Sequence, residues 1–171
     1  MNLNFSINHK DGKPTFFREK IWSSIDKLKL ITEQQAIDFS EEQDVCFDLR
    51  YKDIPNLAPK IGTIRKKGKR NWKIGTPIYF FTGLRTKKAC RFAPQMPVLQ
   101  LQDIKIEYKN DHSDYPIVFI DKKIFYYYVK EDYFTLQNLA INDGFESVKD
   151  FFNYFSEDFT GKIIGWTNYK Y

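Results

Sequence analysis

The hydrophobic periodicity of the chain changes near Ile74, and this change limits the fold more than any other feature of the sequence. Before it, Phe17, Ile21 and Ile25 recur at the four-residue spacing of one helix face. After it, short runs rich in β-branched and aromatic residues alternate with turn-like pieces, which is typical of strands. The sequence therefore predicts an α+β domain whose first part is helical and whose centre is a sheet.

The elements expected along the chain favour a small barrel. We predict helices near residues 17–30 and 33–39, five central strands, two later helices beginning near Asp132 and at Ser147, and a final strand over 160–167. The central strands are predicted over 77–82, 89–92, 98–108, 117–120 and 124–129. No helix-length connection separates these strands, so a closed or nearly closed barrel is favoured over an open parallel sheet.

The basic residues are concentrated in one stretch that contains no acidic residue. No Asp or Glu occurs between Asp53 and Asp103, and this stretch carries a charge of +11 in a chain of net charge +5. The remaining residues therefore sum to −6, and we expect a dipolar molecule with one face that attracts phosphate. A solvated loop without a partner is the alternative. The basic residues of the stretch are Lys60, Arg65, Lys66, Lys67, Lys69, Arg70, Lys73, Arg85, Lys87, Lys88 and Arg91.

Part of this stretch combines charge with an aromatic ring. The cations from Arg65 to Arg70 are followed by Trp72, a combination that suits single-stranded nucleic acid because cations contact phosphates and an exposed ring stacks on bases. Packing of Trp72 in the core is the alternative. The second basic cluster, from Arg85 to Arg91, is predicted to line the opposite wall of the same cleft.

Lys60 and Thr63 stand in a short motif in which Ile64 and Arg65 follow directly. This motif resembles the start of the ASCH domain, and the order of later segments is also similar to that family. The later segments are 139–145, which is similar to a helix of the family, and 161–167, which is similar to its last strand.

The resemblance covers about residues 55–168 and implies a fold for them. ASCH domains are PUA-like, so we expect a small PUA-like β-barrel with flanking helices over 51–171. Residues 1–50 are then a helical extension packed on the barrel. The resemblance also implies that the protein binds RNA.

Some ASCH proteins resemble amidohydrolases that remove an acyl group from acetylated cytidine with a Lys, a Thr and a Glu. Lys60 and Thr63 match the first two, and Asp143 stands where the glutamate is expected. A turn at Gly62 would let Lys60 and Thr63 meet, with Lys60 as base and Thr63 as nucleophile. Asp143, at a helix end, would be the proton donor. The alternatives are a phosphate contact for Lys60, a strand position for Thr63 and a turn position for Asp143.

These patterns predict a cytoplasmic module that binds RNA or another single-stranded nucleic acid through a basic cleft. An amidohydrolase acting on a modified nucleoside and a protein-interaction module are the alternatives. Two cysteines and two histidines offer no metal-ligand spacing, and no phosphate-binding glycine loop occurs, so neither a metal nor a cofactor is expected. No apolar run of membrane length and no signal-peptide pattern is present, so no membrane partner is expected.

Overall fold

The chain is described by a computed structural model, and the described residues are 1–9, 11–42, 57–109, 115–127 and 133–171. These ranges contain four helices and two sheets, one of three strands and one of five. The α+β class predicted from the change of periodicity is confirmed.

The chain divides into two compact units that do not follow its order. The first unit combines Met1–Lys60 with Thr76–Pro97, and the second combines Ile61–Gly75 with Val98–Tyr171. Each sheet belongs to one unit, so each unit has its own layers and its own core.

The first unit contains the three-stranded sheet and two helices. Strand β1 (Asn2–Phe5) pairs in parallel with β3 (Pro77–Thr82), which pairs in antiparallel orientation with β4 (Cys90–Pro97). Helices α1 (Phe17–Lys27) and α2 (Glu33–Glu42) both contact β4.

An aromatic cluster fills the core of this unit. Alternate residues of β1 point inward, and the Phe5 ring packs 6.0 Å from Phe80 and 5.8 Å from Phe92, measured between ring centroids. The helix face predicted from Ile21 and Ile25 is buried, as its spacing indicated.

The second unit contains the five-stranded antiparallel sheet, in the order β2-β8-β5-β6-β7, and two helices. Strand β2 lies at one edge and pairs with β8 alone among the described strands. Its strands are β2 (Gly62–Lys66), β5 (Gln100–Glu107), β6 (Ile117–Ile120), β7 (Lys123–Tyr126) and β8 (Phe159–Gly165), and its helices are α3 (Tyr133–Asn142) and α4 (Val148–Tyr154).

The prediction of a PUA-like β-barrel is wrong. Neither sheet closes on itself within the described ranges, because β4 ends one sheet and the next strand, β5, begins in the other. Strands that follow each other closely along the chain thus belong to separate hydrogen-bonded ladders, which strand spacing alone does not reveal. The first fifty residues are not purely helical either, since β1 pairs with β3.

Most other predicted elements are present. Strands β3 and β6 have the predicted bounds, and α2 and α4 begin after their predicted N-caps. The Thr32 hydroxyl accepts a hydrogen bond from the Gln35 N–H at 3.2 Å, and the Ser147 hydroxyl accepts one from Asp150 at 3.1 Å. In the described segments no helix combines the length and apolarity needed to cross a bilayer.

Cys90 begins β4 and is disulfide-bonded. Cys46, the other cysteine of the sequence, lies outside the described residues.

Candidate nucleic-acid interface

Strand β2 positions three of the predicted site residues, Thr63, Arg65 and Lys66, in the second unit. Thr63 pairs with Ile164 of β8, and Arg65 lies two residues further along β2. The strands approach closely because β8 carries Gly161, where an added Cβ would collide with the Arg65 carbonyl oxygen and the Phe159 ring. The predicted turn at this place is wrong, since the segment is an edge strand.

Asp143 connects the end of α3 to β2. Its Oδ1 atom accepts a hydrogen bond of 3.1 Å from the Ile64 N–H, next to Thr63. Thr63 is 5% exposed and Asp143 is 7% exposed. The structure therefore brings Asp143 to the strand that carries Thr63, although 79 positions separate Asp143 from Ile64.

Lys60 belongs to the first unit, whereas Thr63 and Asp143 belong to the second. Its backbone N–H donates to the Lys20 carbonyl at 3.0 Å, and its Nζ atom lies 4.7 Å from the centre of the Phe17 ring. The residue is 1% exposed. The contact between Lys60 and the Phe17 ring is a structural arrangement of the first unit. The catalytic trio of Lys60, Thr63 and Asp143 stays a prediction.

Arg65 is the centre of an electrostatic cluster in the second unit. The residue is partly buried, with its Nε atom fully enclosed. Burial lowers the pKa of the Arg65 guanidinium, the charges of Asp143 and Tyr154 raise it, and the neighbouring Arg70 lowers it. Because an arginine stays charged in proteins, the guanidinium and the Asp143 carboxylate stabilise each other.

This cluster bears on the proton-donor role predicted for Asp143. The carboxylate accepts a backbone N–H bond and lies near the Arg65 guanidinium, and the proton-donor role stays a prediction. The prediction from the sequence considered only the position of Asp143 at a helix end. It did not include Ile64 and Arg65, because these neighbours come from the distant strand β2.

Beyond Arg65, the chain carries a row of exposed cations. We name this row the β2 basic segment, and it consists of Lys66, Lys67, Lys69, Arg70 and Lys73. The Lys67 N–H donates to the Thr160 carbonyl at 3.1 Å, which holds the start of the row beside β8. Within the described part of the chain, Lys66, Lys67 and Lys69 form no ion pair.

Trp72 does not provide the stacking surface predicted for it. The residue is 7% exposed, so its ring faces are covered by protein. Trp72 is instead packed in the interior, which was the alternative for this residue.

The second basic cluster lies on the turn between β3 and β4, in the first unit. Arg85, Lys87 and Lys88 are exposed there and form what we name the β3–β4 basic turn. The Thr86 hydroxyl donates to the Gly83 carbonyl at 2.7 Å and accepts from the Lys88 N–H at 3.1 Å, which fixes the turn. Because the two basic clusters belong to different units, the predicted common cleft stays a prediction.

Arg91 follows this turn on β4 and is partly buried. Its guanidinium carbon lies 5.2 Å from the centre of the Phe39 ring and 5.3 Å from that of Tyr79. Both distances are those of cation–π contacts, so Arg91 contributes to the packing of α2 on the sheet.

Sequence reasoning missed two tyrosines near Asp143. Tyr154 acts on Arg65, as described, and the Tyr171 hydroxyl is hydrogen-bonded to the Asn142 side chain. Burial and the charge of Asp143 raise the pKa of Tyr171. Both tyrosines come from distant parts of the sequence, and no local motif marks either of them.

The fold and the site together define an α+β protein with a basic edge strand. Comparisons with protein-family models, with curated proteins and with solved structures find no match to this chain. The ASCH resemblance therefore depends on the motif residues alone and stays a prediction.

Proposed function

We propose that this protein binds single-stranded nucleic acid, and RNA in particular, through the β2 basic segment. The observation that carries the proposal is the exposure of all five cations of this segment, over residues 66–73, in a stretch of chain without acidic residues. Neighbouring cations repel each other, and a bound polyanion removes this repulsion while releasing counterions.

The arrangement of the cations favours a phosphate chain over a single anion. They occupy five of the eight positions 66–73, from the end of an edge strand onward, so their side chains are distributed along one stretch of backbone. A strand of nucleic acid offers phosphates at regular intervals along such a line, and each exposed cation can contact one of them.

The salt dependence of binding tests the proposal directly. With about five phosphates neutralised, the logarithm of the affinity for a labelled single-stranded RNA should fall against the logarithm of salt concentration with a slope of about −3.5. Absence of binding by the wild-type protein at low salt would overturn the proposal.

Charge reversal then locates the interface. We expect Lys66→Glu, Lys67→Glu and Lys69→Glu together to lower the affinity at least tenfold and to make the slope shallower by about two. The matched control reverses Lys122, Lys123 and Lys149, three exposed lysines of the same unit, to Glu. Both variants have the same net charge, so an equal loss in both would show that the β2 basic segment is not the interface.

Other ligands are outcomes of the same experiment. Binding to vesicles of anionic lipid without binding to RNA would replace the proposal by a membrane-surface function. A nuclease-insensitive protein partner that is lost in the Lys66, Lys67 and Lys69 variant would replace it by a protein-interaction function. The proposal includes a cytoplasmic location, where RNA is accessible, and the ASCH resemblance predicts the same class of ligand.

A further inference from the structure

Tyr154, at the end of α4, presents an exposed ring on a packed aromatic base. The residue is 50% exposed, while its ring centroid lies 5.5 Å from that of Phe145 and 4.9 Å from that of Phe155. Phe145 and Phe155 are themselves buried in the core of the second unit. The Tyr154 ring is thus packed against two buried rings while half of the residue remains exposed.

The same aromatic cluster extends to β2. The Phe155 ring lies 4.8 Å from the Phe159 ring, and Phe159 lies so close to Gly161 that an added Cβ would collide with it and with the Arg65 carbonyl. Tyr154 also lies close enough to Arg65 for its ionised form to raise the pKa of the Arg65 guanidinium. The exposed ring therefore lies near Arg65, the residue that directly precedes the β2 basic segment.

We propose that Tyr154 stacks on a base of the strand whose phosphates the β2 basic segment contacts, and that it replaces Trp72 in this role. The inference rests on the proposed function. A stacking platform needs exposed ring surface, a fixed ring and cations close by: Tyr154 is half exposed, its ring packs on Phe145, and Arg65 is near it at the start of the basic row. Stacking tolerates any base, so this contact adds affinity without demanding a sequence.

The test compares Tyr154→Ala and Tyr154→Phe with Phe134→Ala. Phe134 is the matched control, because it is an exposed aromatic residue of the same unit, at 75% exposure. It lies near the start of α3, about 12 Å along the helix from Asn142, which ends α3 next to Asp143. The probes are a labelled oligouridine and an abasic strand of the same length. We expect Tyr154→Ala to weaken oligouridine binding about tenfold, and Tyr154→Phe and Phe134→Ala to leave it within twofold.

The abasic strand separates stacking from a general loss of structure. It has phosphates but no bases, so Tyr154→Ala should bind it as the wild type does. If Tyr154→Ala loses affinity equally for both probes, or keeps its affinity for oligouridine, the role of Tyr154 is overturned. The proposed function still stands in that case, provided that the wild-type protein binds. Failure of the wild type to bind either probe would instead overturn the proposed function.

A measurement on the wild-type protein does not depend on the folding of any variant. Oligouridine carrying 5-iodouridine is crosslinked by light to the residue on which the base lies, and the crosslinked peptide is identified by mass spectrometry. We expect the crosslink at Tyr154. Crosslinks confined to other residues would contradict the inference.

Discussion

Arg65 and Arg91 are both partly buried arginines of the basic stretch, yet the two units compensate their charges in different ways. Arg91 contacts the faces of two rings, which stabilise a cation without a fixed partner charge. Arg65 lies near the Asp143 carboxylate, which is itself held by the Ile64 N–H. The arginine of the second unit thus belongs to the connection between α3 and β2, and the lysines after it are exposed.

The largest expected effect distinguishes these two arrangements. Asp143→Ala removes the acceptor of a buried N–H and the charge that compensates Arg65, so we expect the free energy of unfolding to fall by about 3 kcal/mol. Asp143→Asn keeps the acceptor oxygen and should lose less. Denaturant unfolding of both variants measures the difference.

The control for this prediction is Arg91→Met, which retains an apolar side chain against the two rings. We expect a loss of about 1 kcal/mol, because a cation–π contact is replaced by packing. An equal loss for Arg91→Met and Asp143→Ala would show that the two arginines contribute in the same way.

The second prediction concerns how firmly the β3–β4 basic turn is fixed. Gly83 has φ +59, and an added Cβ would lie 2.7 Å from the Lys88 carbonyl oxygen. We expect Gly83→Ala to lower the free energy of unfolding by about 2 kcal/mol. At Gly75, φ is +82 but an added Cβ meets nothing, so Gly75→Ala should cost about 1 kcal/mol. Thermal unfolding of both variants checks the order, and a larger loss at Gly75 would contradict it.

The third prediction asks which basic surface carries the ligand. Arg85→Glu, Lys87→Glu and Lys88→Glu together should weaken RNA binding about threefold, through long-range electrostatics alone. This is less than the tenfold loss expected from the β2 basic segment. Titration of labelled RNA at one salt concentration compares the two triple variants, and a tenfold loss in the turn variant would make both surfaces part of the interface.

The smallest expected effect is a dependence of stability on pH at Tyr171. Its pKa is raised in the folded protein, so its contribution is complete well below pH 10 and decreases as the unfolded tyrosine ionises around and above that pH. We expect the wild type to lose about 0.4 kcal/mol at pH 10 relative to Tyr171→Phe. Denaturant unfolding of both proteins from pH 8 to 10.5 measures this, and parallel curves would contradict it.

Regular elements with strong local signals were predictable. The helix near residues 17–30 follows from its four-residue spacing, and α4 follows from the hydroxyl of Ser147. Strands β1 and β2 gave no such signal. Asn2 and Asn4 disfavour a strand, and Gly62 indicates a turn, so pairing with β3 and β8 overrides local preference in both segments.

The candidate site was predictable only in part. The exposed cations of the β2 basic segment follow from charge and composition, since lysines remain in water unless they are paired. The burial of Trp72 was not predictable, because a single aromatic residue outside a periodic segment has no pattern that assigns it to the core or the surface.

By itself, the sequence determined the α+β class, most helices and strands, and the acid-free distribution of charge, because each depends on neighbouring residues. Only the tertiary structure decided that the strands form two sheets instead of a barrel, and that Asp143 and Tyr154 lie near Arg65. These outcomes depend on which distant segments pair. Pairing is selected by the burial of whole faces and by hydrogen bonding across the chain, and neither is encoded at any one position.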